Sequence, residues 1–167
     1  MEAVVLSDLF RSIEEEYSEM MIRHHIRFHG VVSPHLPLVY GDKEQLRELF
    51  VNFIQNSMQS MPKGGPLLIR AVHEPEKEDI EISILDRGAG IPKSVLGRVF
   101  EPFFTTKSTG MGLGLAIAKK IIVEHGGQIS VASEEGQGTI FTLRLPVMKS
   151  KRISIEAPDL KAAVSAG

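Results

Sequence analysis

The chain has 167 residues, a formal net charge of −2 at pH 7 and no cysteine. This length fits one domain, and the missing cysteines exclude a disulfide framework, a thiol nucleophile and a thiolate metal site. The charge balance gives no footprint for nucleic acid, and no apolar run approaches the roughly 20 residues of a membrane span. We therefore expect a cytoplasmic protein, with no nucleic-acid partner and no membrane contact by this domain.

The first half of the chain predicts two helices and a strand. Apolar residues at helical spacing indicate a helix over 7–21, with Ser7 as its N-cap. Alternating apolar residues favour a strand over 26–32. Asp42, followed three residues later by Gln45, forms a capping-box pattern. A second helix should therefore begin there and continue until a segment rich in proline and glycine stops it.

The second half predicts strands on both sides of a third helix. A charged hairpin connection is expected at 74–79, a short helix near Pro92, and a longer helix over 113–125 that two glycines stop. The apolar runs that fit strands are 67–73, 80–86, 128–132 and 139–145. This order predicts an α/β (α+β) two-layer sandwich, with helices packed on one face of a mixed sheet. We expect the domain over residues 1–147 and a C-terminal tail over 148–167.

Two asparagines on the second predicted helix form the first candidate site. Asn52 and Asn56 are one turn apart and share a helix face. Amide oxygens are hard, neutral ligands that suit Mg²⁺ when a triphosphate supplies the negative charge. An isolated pair of this kind is more often a solvated helix face, although asparagine is a poor helix former at mid-helix.

Asp86 ends an apolar strand and is followed by Gly88 and Gly90. A carboxylate at this point can accept a hydrogen bond from an exocyclic amine such as adenine N6, and the glycines allow close approach of a flat base. Taken alone, the same pattern is more often a plain turn after a strand.

Two further segments suggest phosphate binding. Residues 100–107 (Phe-Glu-Pro-Phe-Phe-Thr-Thr-Lys) combine aromatic anchors with Lys107, which can reach a phosphate as a point charge, although an ordinary loop anchor with a surface lysine has the same pattern. Residues 110–114 (Gly-Met-Gly-Leu-Gly) open a helix, so their N–H groups can bind an anion. Their spacing matches neither the P-loop nor the dinucleotide motif. The six histidines show no zinc spacing and are expected to be structural or on the surface.

The four motifs in this order resemble the catalytic and ATP-binding domain of bacterial two-component sensor histidine kinases, in the gyrase, Hsp90, histidine kinase and MutL superfamily with its Bergerat-type ATP-binding fold. The resemblance covers about residues 7–146. Residues 52–62 are similar to the N box of nitrogen-regulation-like kinases, and residues 100–107 to the kinase F box.

For catalysis and phosphate binding, the resemblance implies that Asn56, assisted by Asn52, binds Mg²⁺ and that both act with Lys107 in catalysis. A mobile lid over the phosphates would supply further contacts to ATP. The lid residues that the resemblance assigns to ATP binding are Phe103, Thr105, Thr106, Lys107, Gly110, Met111, Gly112, Leu113, Gly114 and Leu115.

For adenine, the resemblance implies that Asp86 accepts a hydrogen bond from the amine. Gly88 and Gly90 would shape the adenine pocket, and Thr139 would close its adenine side. Gln59 departs from the family pattern, because many sensor kinases carry a basic residue there, so the resemblance does not extend to that phosphate contact.

The implied function is that of a protein histidine kinase catalytic domain, which uses ATP and Mg²⁺ in two-component signal transduction. The γ-phosphoryl group would pass to a histidine on the dimerisation domain of the parent kinase, and from there indirectly to a cognate response regulator. No histidine- and glutamate-rich helical segment precedes the catalytic motifs, so the phosphoacceptor is expected outside this chain. The isolated domain is expected to be monomeric and cytoplasmic, even where the parent kinase is anchored in a membrane.

Two other functions share parts of this pattern. A self-contained ATPase of the gyrase or Hsp90 type uses a glutamate one turn before the metal-binding asparagine to activate water, and Asn52 holds that place here. Glu48 lies a further turn back. An anti-sigma-type serine kinase or a non-catalytic nucleotide sensor is the third alternative, which the kinase-type F box disfavours.

Overall fold

Five strands form the main sheet, with helices on one face. The computed structural model describes residues 1–108 and 110–149. The helices are α1 Leu6–Arg23, α2 Lys43–Ser60 and α3 Gly114–Glu124. The strands are β1 Glu2–Val4, β2 Ile26–Val32, β3 Val39–Gly41, β4 Gly65–Glu74, β5 Asp79–Asp86, β6 Gln128–Glu134 and β7 Gly138–Pro146. The strand order of the main sheet is β2-β4-β5-β7-β6, in which β2 and β4 are parallel and the other neighbours are antiparallel. The predicted fold class is confirmed.

The core lies between this sheet and the helices. The buried side chains of α2 recur at helical spacing, and those of β5 alternate along the strand. Phe53 of α2 contacts Phe141 of β7, with ring centroids 4.9 Å apart. Because β5 buries every second residue from Ile80 onward, its last residue, Asp86, also points to the helix-covered face. The strand pattern therefore places a carboxylate at the edge of the apolar core.

The start of α1 differs from the prediction. The helix begins at Leu6, and its N-cap is Val5, which makes no side-chain capping bond, so the prediction of Ser7 as N-cap is wrong. Residues 2–4 form β1, which pairs with β3. Each of these strands has three residues, too few to show a periodicity in the sequence. Instead of a helix starting near Pro92, a short 3-10 turn occurs at Leu96–Arg98.

The prediction that Asp42 caps α2 is confirmed, but the Asp42 N–H donates to His125 and not to the Gln45 side chain of the capping-box pattern. Asp42 Oδ1 accepts hydrogen bonds from the N–H groups of Glu44 and Gln45, both at 3.0 Å. The Asp42 N–H donates to His125 Nε2 at 3.0 Å, and His125 Nδ1 donates to Ile121 O at 2.8 Å. Buried His125 therefore joins the end of α3 to the start of α2, which makes this histidine structural as expected.

Most of the predicted tail lies outside the described residues. Residues 148 and 149 contact the domain: the Met148 N–H donates to Leu38 O at 2.7 Å, and Lys149 pairs with Glu78 at 2.8 Å. The boundary at residue 147 stays a prediction. Within the described ranges, no helix is long and apolar enough to cross a membrane.

Candidate functional site

A cavity of about 690 Å³ lies between the C-terminal half of α2, the start of α3 and the loop that connects β5 to α3. This volume falls in the range typical of small-molecule sites. Most of the residues assigned to ATP from the sequence line it together. They are Asn52, Asn56, Gly90, Thr105, Thr106, Lys107, Gly110, Met111, Gly112, Leu113, Gly114, Leu115 and Thr139.

Three of the assigned residues do not line this cavity. Phe103 is 76% exposed and Gly88 is buried in the turn after β5. Asp86 is only 2% exposed and lies directly across from Thr139 in the sheet. Both border a second, smaller cavity of about 410 Å³ at the end of the sheet. Because Thr139 lines both cavities, it connects the candidate adenine acceptor with the lid.

Asp86 is held by the turn that follows it. Its Oδ1 accepts a hydrogen bond from the Gly88 N–H at 2.9 Å. Among the described residues, no other group donates a hydrogen bond to this carboxylate, so Oδ2 is available to a ligand. A buried carboxylate can only accept, which suits an amine donor.

The two glycines after Asp86 are required by contacts within the protein. A Cβ at Gly88 would lie 2.4 Å from Ser60 Oγ. Gly90 has a φ of +72°, and a Cβ there would lie 2.1 Å from Glu134 O. The turn is therefore packed between the end of α2 and the end of β6, and the expected close approach is to the protein's own backbone.

Lys107 reaches from the connecting loop to α2. Its Nζ donates to Asn56 Oδ1 at 2.8 Å, to Asn56 O at 3.2 Å and to Gln59 Oε1 at 3.3 Å. Burial lowers the pKa of the Lys107 ammonium from 10.5, and the negative charge of Asp86 opposes this change. Gln59, which departs from the family pattern, thus binds the lysine of the lid.

The asparagine pair fits a hard metal ion. The ammonium of Lys107 already lies on the two oxygens of Asn56, which shows that this position attracts a cation. Asn52 Nδ2 is buried without a hydrogen-bond partner, and turning the amide over would place its oxygen there. Across the described residues, no cluster of three or more histidines or carboxylates could hold a metal. A metal at this site would therefore use amide oxygens and phosphate oxygens, a donor set that suits Mg²⁺.

The glycine loop connects the F-box segment to α3. Gly112 has a φ of +71°, and the Phe103 N–H donates to its carbonyl at 3.0 Å. Helix α3 begins at Gly114, and its N-cap residue Leu113 makes no side-chain capping bond. The first N–H groups of α3 therefore face the cavity without a side-chain acceptor, as an anion-binding terminus requires.

Sequence reasoning missed much of the cavity wall. Gln55 and Ser60 of α2 lie on the same side as Asn52 and Asn56, and helical spacing could have indicated them. The apolar lining has no such signal, because its members come from separate segments that only the fold brings together. These residues are Ile91, Val99, Phe104 and Ile117.

Residues 41–149 match the family model described as "Histidine kinase-, DNA gyrase B-, and HSP90-like ATPase". Sporulation kinase E of Bacillus subtilis is 41% identical over 115 residues, which cover 69% of this chain and 15% of the relative. Sensor histidine kinase ZraS of Escherichia coli (strain K12) is 35% identical over 147 residues, which cover 88% of this chain and 31% of the relative. The chain thus spans less than a third of these relatives.

Solved histidine kinase structures have the same fold. The nucleotide-free catalytic domain of histidine kinase ThkA is 29% identical with a TM-score of 0.77, and the match covers 88% of this chain and 97% of that one. Full-length ShkA in complex with AMPPNP is also 29% identical, with a TM-score of 0.78, covering 89% of this chain and 31% of that one. ThkA in complex with the response regulator TrrA is 26% identical with a TM-score of 0.75, covering 90% of this chain and 42% of that one. The chain belongs to the histidine kinase-, DNA gyrase B- and HSP90-like ATPase family, and within it to the histidine kinase type of catalytic domain.

Proposed function

We propose that this domain binds ATP with Mg²⁺ and donates the γ-phosphoryl group to a histidine on the dimerisation domain of its parent kinase. The observation that carries this proposal is the meeting of Lys107 and Asn56 in one cavity with the open N-terminus of α3. A cation, two amide oxygens and free N–H groups are what a metal-bound triphosphate needs. The relative ShkA, solved with AMPPNP, supports nucleotide binding.

In this proposal the two ends of ATP contact different elements. Asp86 and Thr139 accept hydrogen bonds from the adenine amine at the end of the sheet. Lys107 and the N–H groups of 110–114 hold the phosphates. Asn56 and Asn52 hold Mg²⁺, which neutralises charge on the phosphates.

The cavity favours transfer over hydrolysis. Among the described residues that line it, none is an aspartate or glutamate. Hydrolysis needs a base to activate water, and the amide of Asn52 has no useful basicity. A histidine needs no such activation, because its imidazole nitrogen is itself the nucleophile. That nitrogen forms the bond to the γ-phosphorus, the bond to the bridging oxygen breaks, and ADP leaves with the electron pair.

The proposal has partners outside this chain. The dimerisation domain supplies the histidine, and a response regulator receives the phosphoryl group afterwards, in line with the complex solved for ThkA and TrrA. We also propose a cytoplasmic, monomeric domain. The sequence of residues 52–62 supports a nitrogen-regulation-like subgroup.

Nucleotide binding is tested by calorimetry on the full chain. We expect ATP to bind with a Kd on the order of micromolar in the presence of Mg²⁺ and more weakly with a chelator. Asn56→Ala should abolish this difference, whereas Glu48→Ala, an exposed position two turns earlier on α2, should keep it. Absence of ATP binding by the unmodified chain would refute the proposal.

Transfer is tested with γ-labelled ATP. The chain alone should acquire no label, and a histidine-bearing dimerisation domain added in trans should acquire acid-labile label. Rapid release of inorganic phosphate by the chain alone would instead indicate an ATPase.

A further inference from the structure

Three polar side chains form a row at the end of the main sheet. Asp86 of β5 pairs with Thr139 of β7, and Thr139 pairs with Ser133 of β6. All three lie on the face that the helices cover, where Asp86 and Thr139 are at most 4% exposed. Ser133 lies outside the set of ATP-binding residues assigned from the sequence, and it has no place in the proposed function.

Ser133 makes three hydrogen bonds through one hydroxyl. It lies 2.8 Å from Gly138 O, 2.8 Å from the Ile91 nitrogen and 2.9 Å from Thr139 Oγ1. A hydroxyl has one proton and two acceptor lone pairs. Gly138 O can only accept, so the Ser133 proton is directed there. The Ile91 N–H can only donate, so it takes one lone pair of Ser133.

The contacts of Ser133 with Gly138 and Ile91 fix the orientation of the Thr139 hydroxyl. One lone pair of Ser133 remains for Thr139, so the Thr139 O–H must donate to it. The Thr139 oxygen therefore turns only lone pairs toward the cavity. Next to it, the carboxylate of Asp86 can also only accept. The side chains of Thr139 and Asp86 thus present acceptors side by side.

We propose that Ser133 is a positioning residue that sets base specificity, because it keeps the Thr139 hydroxyl as an acceptor for the 6-amino group of adenine. This inference rests on the proposed function, since it assumes that the base binds at Asp86 and Thr139. A 6-oxo purine such as hypoxanthine places an acceptor where adenine has its amine, and it would face two acceptors. Removing the Ser133 hydroxyl frees the Thr139 proton, which can then donate to the 6-oxo group.

The probe is the pair ATP and ITP, which differ at position 6 of the base and in the proton at N1. The full chain is titrated with each nucleotide in the presence of Mg²⁺, and the ratio of the two Kd values is measured. Ser133→Ala should lower the preference for ATP by about two- to tenfold, the range that one net hydrogen bond supplies. Ser133→Thr keeps a hydroxyl and should keep the preference. Ser130→Ala, an exposed position on the same strand, is the matched control.

A double-mutant cycle separates positioning from general loosening of the sheet. In a Thr139→Val background no hydroxyl remains to be oriented, so adding Ser133→Ala should leave the ATP preference unchanged. An unaltered ratio in Ser133→Ala alone would overturn the inference, and so would an equal loss in both backgrounds. If Ser133→Ala fails to fold, Ser133→Cys, which keeps the volume with a weak hydrogen-bonding group, takes its place with the same expected direction. Failure of the unmodified chain to bind ATP would instead refute the proposed function and the inference with it.

Discussion

Gly112→Ala should weaken nucleotide binding by distorting the lid. Gly112 has a φ of +71°, and a Cβ there would lie 2.5 Å from Phe104 O and 2.7 Å from the carbonyl carbon of Phe103. Both contacts are to backbone atoms, which cannot turn away as the end of a side chain can. The two backbone segments of the lid, at Phe103–Phe104 and at Gly112, would have to separate, and the hydrogen bond from the Phe103 N–H to Gly112 O would be lost.

The expected magnitude follows from these contacts. A left-handed backbone costs alanine about 1–2 kcal/mol, and the lost hydrogen bond adds about 0.5–1.5 kcal/mol. A loop can loosen locally, which limits the energy of the steric overlap. We therefore expect the substitution to destabilise the ordered conformation of the lid by about 2–3 kcal/mol in total. Since each 1.4 kcal/mol is about tenfold in affinity, ATP should bind about 30- to 150-fold more weakly.

The assay is calorimetric titration with ATP and Mg²⁺, together with a thermal unfolding curve. The core does not include the lid glycine, so Tm should change by only a few degrees, on the order expected for about 1 kcal/mol. Gly136→Ala is the matched control, because Gly136 has a φ of +79° but nothing within 4 Å of an added Cβ. Gly136→Ala should be destabilised by the left-handed backbone in the same way, but its ATP affinity should stay unchanged. Binding by Gly112→Ala within about threefold of the unmodified chain, or an equal loss in both variants, would refute this reasoning.

Three further outcomes are expected. Burial lowers the pKa of Lys107 from 10.5, so an NMR titration should show this pKa rising when phosphates bind. Between the lowered pKa and 10.5 the unfolded chain binds the proton more tightly than the folded chain does, so the free energy of unfolding should increase with pH in this range. Lys107→Met should remove that increase. Asp86→Asn should weaken ATP binding in calorimetry by about 10- to 100-fold, because one charged hydrogen bond is lost and an amide also donates; equal affinity would contradict the assigned role. His125→Ala should lower the free energy of unfolding by about 2–4 kcal/mol in a urea titration, because it leaves a buried cavity and the Asp42 N–H unpaired. An unaltered urea midpoint would contradict that structural role.

The sequence predicts the elements whose pattern is local. Helix α2 begins after Asp42, as the capping pattern indicates. Its helical period places Asn52 and Asn56 on the same face, next to the cavity. In strand β5 every second side chain points to the helix-covered face, and Asp86 is the last of this apolar series. In each case one segment of chain contains the whole signal.

Features that depend on distant segments could not be predicted. The strands β1 and β3 form because they pair with each other, and three residues give no pattern of their own. Gly88 and Gly90 look like residues that admit a base, yet their close neighbours are Ser60 and Glu134, which are far away in the chain. The hydroxyl of Ser133 reaches that of Thr139 only when β6 lies beside β7.

The contact between Lys107 and Asn56 has a consequence for the kinetics of nucleotide association. The ammonium lies on Asn56 Oδ1, the side-chain oxygen that the metal would use, so Mg²⁺ cannot reach this oxygen until Lys107 withdraws. Association should then proceed in two steps: a rapid encounter that depends on nucleotide concentration, followed by a first-order exchange of one cation for the other. The observed rate should level off at high ATP concentration, at the rate of lysine withdrawal.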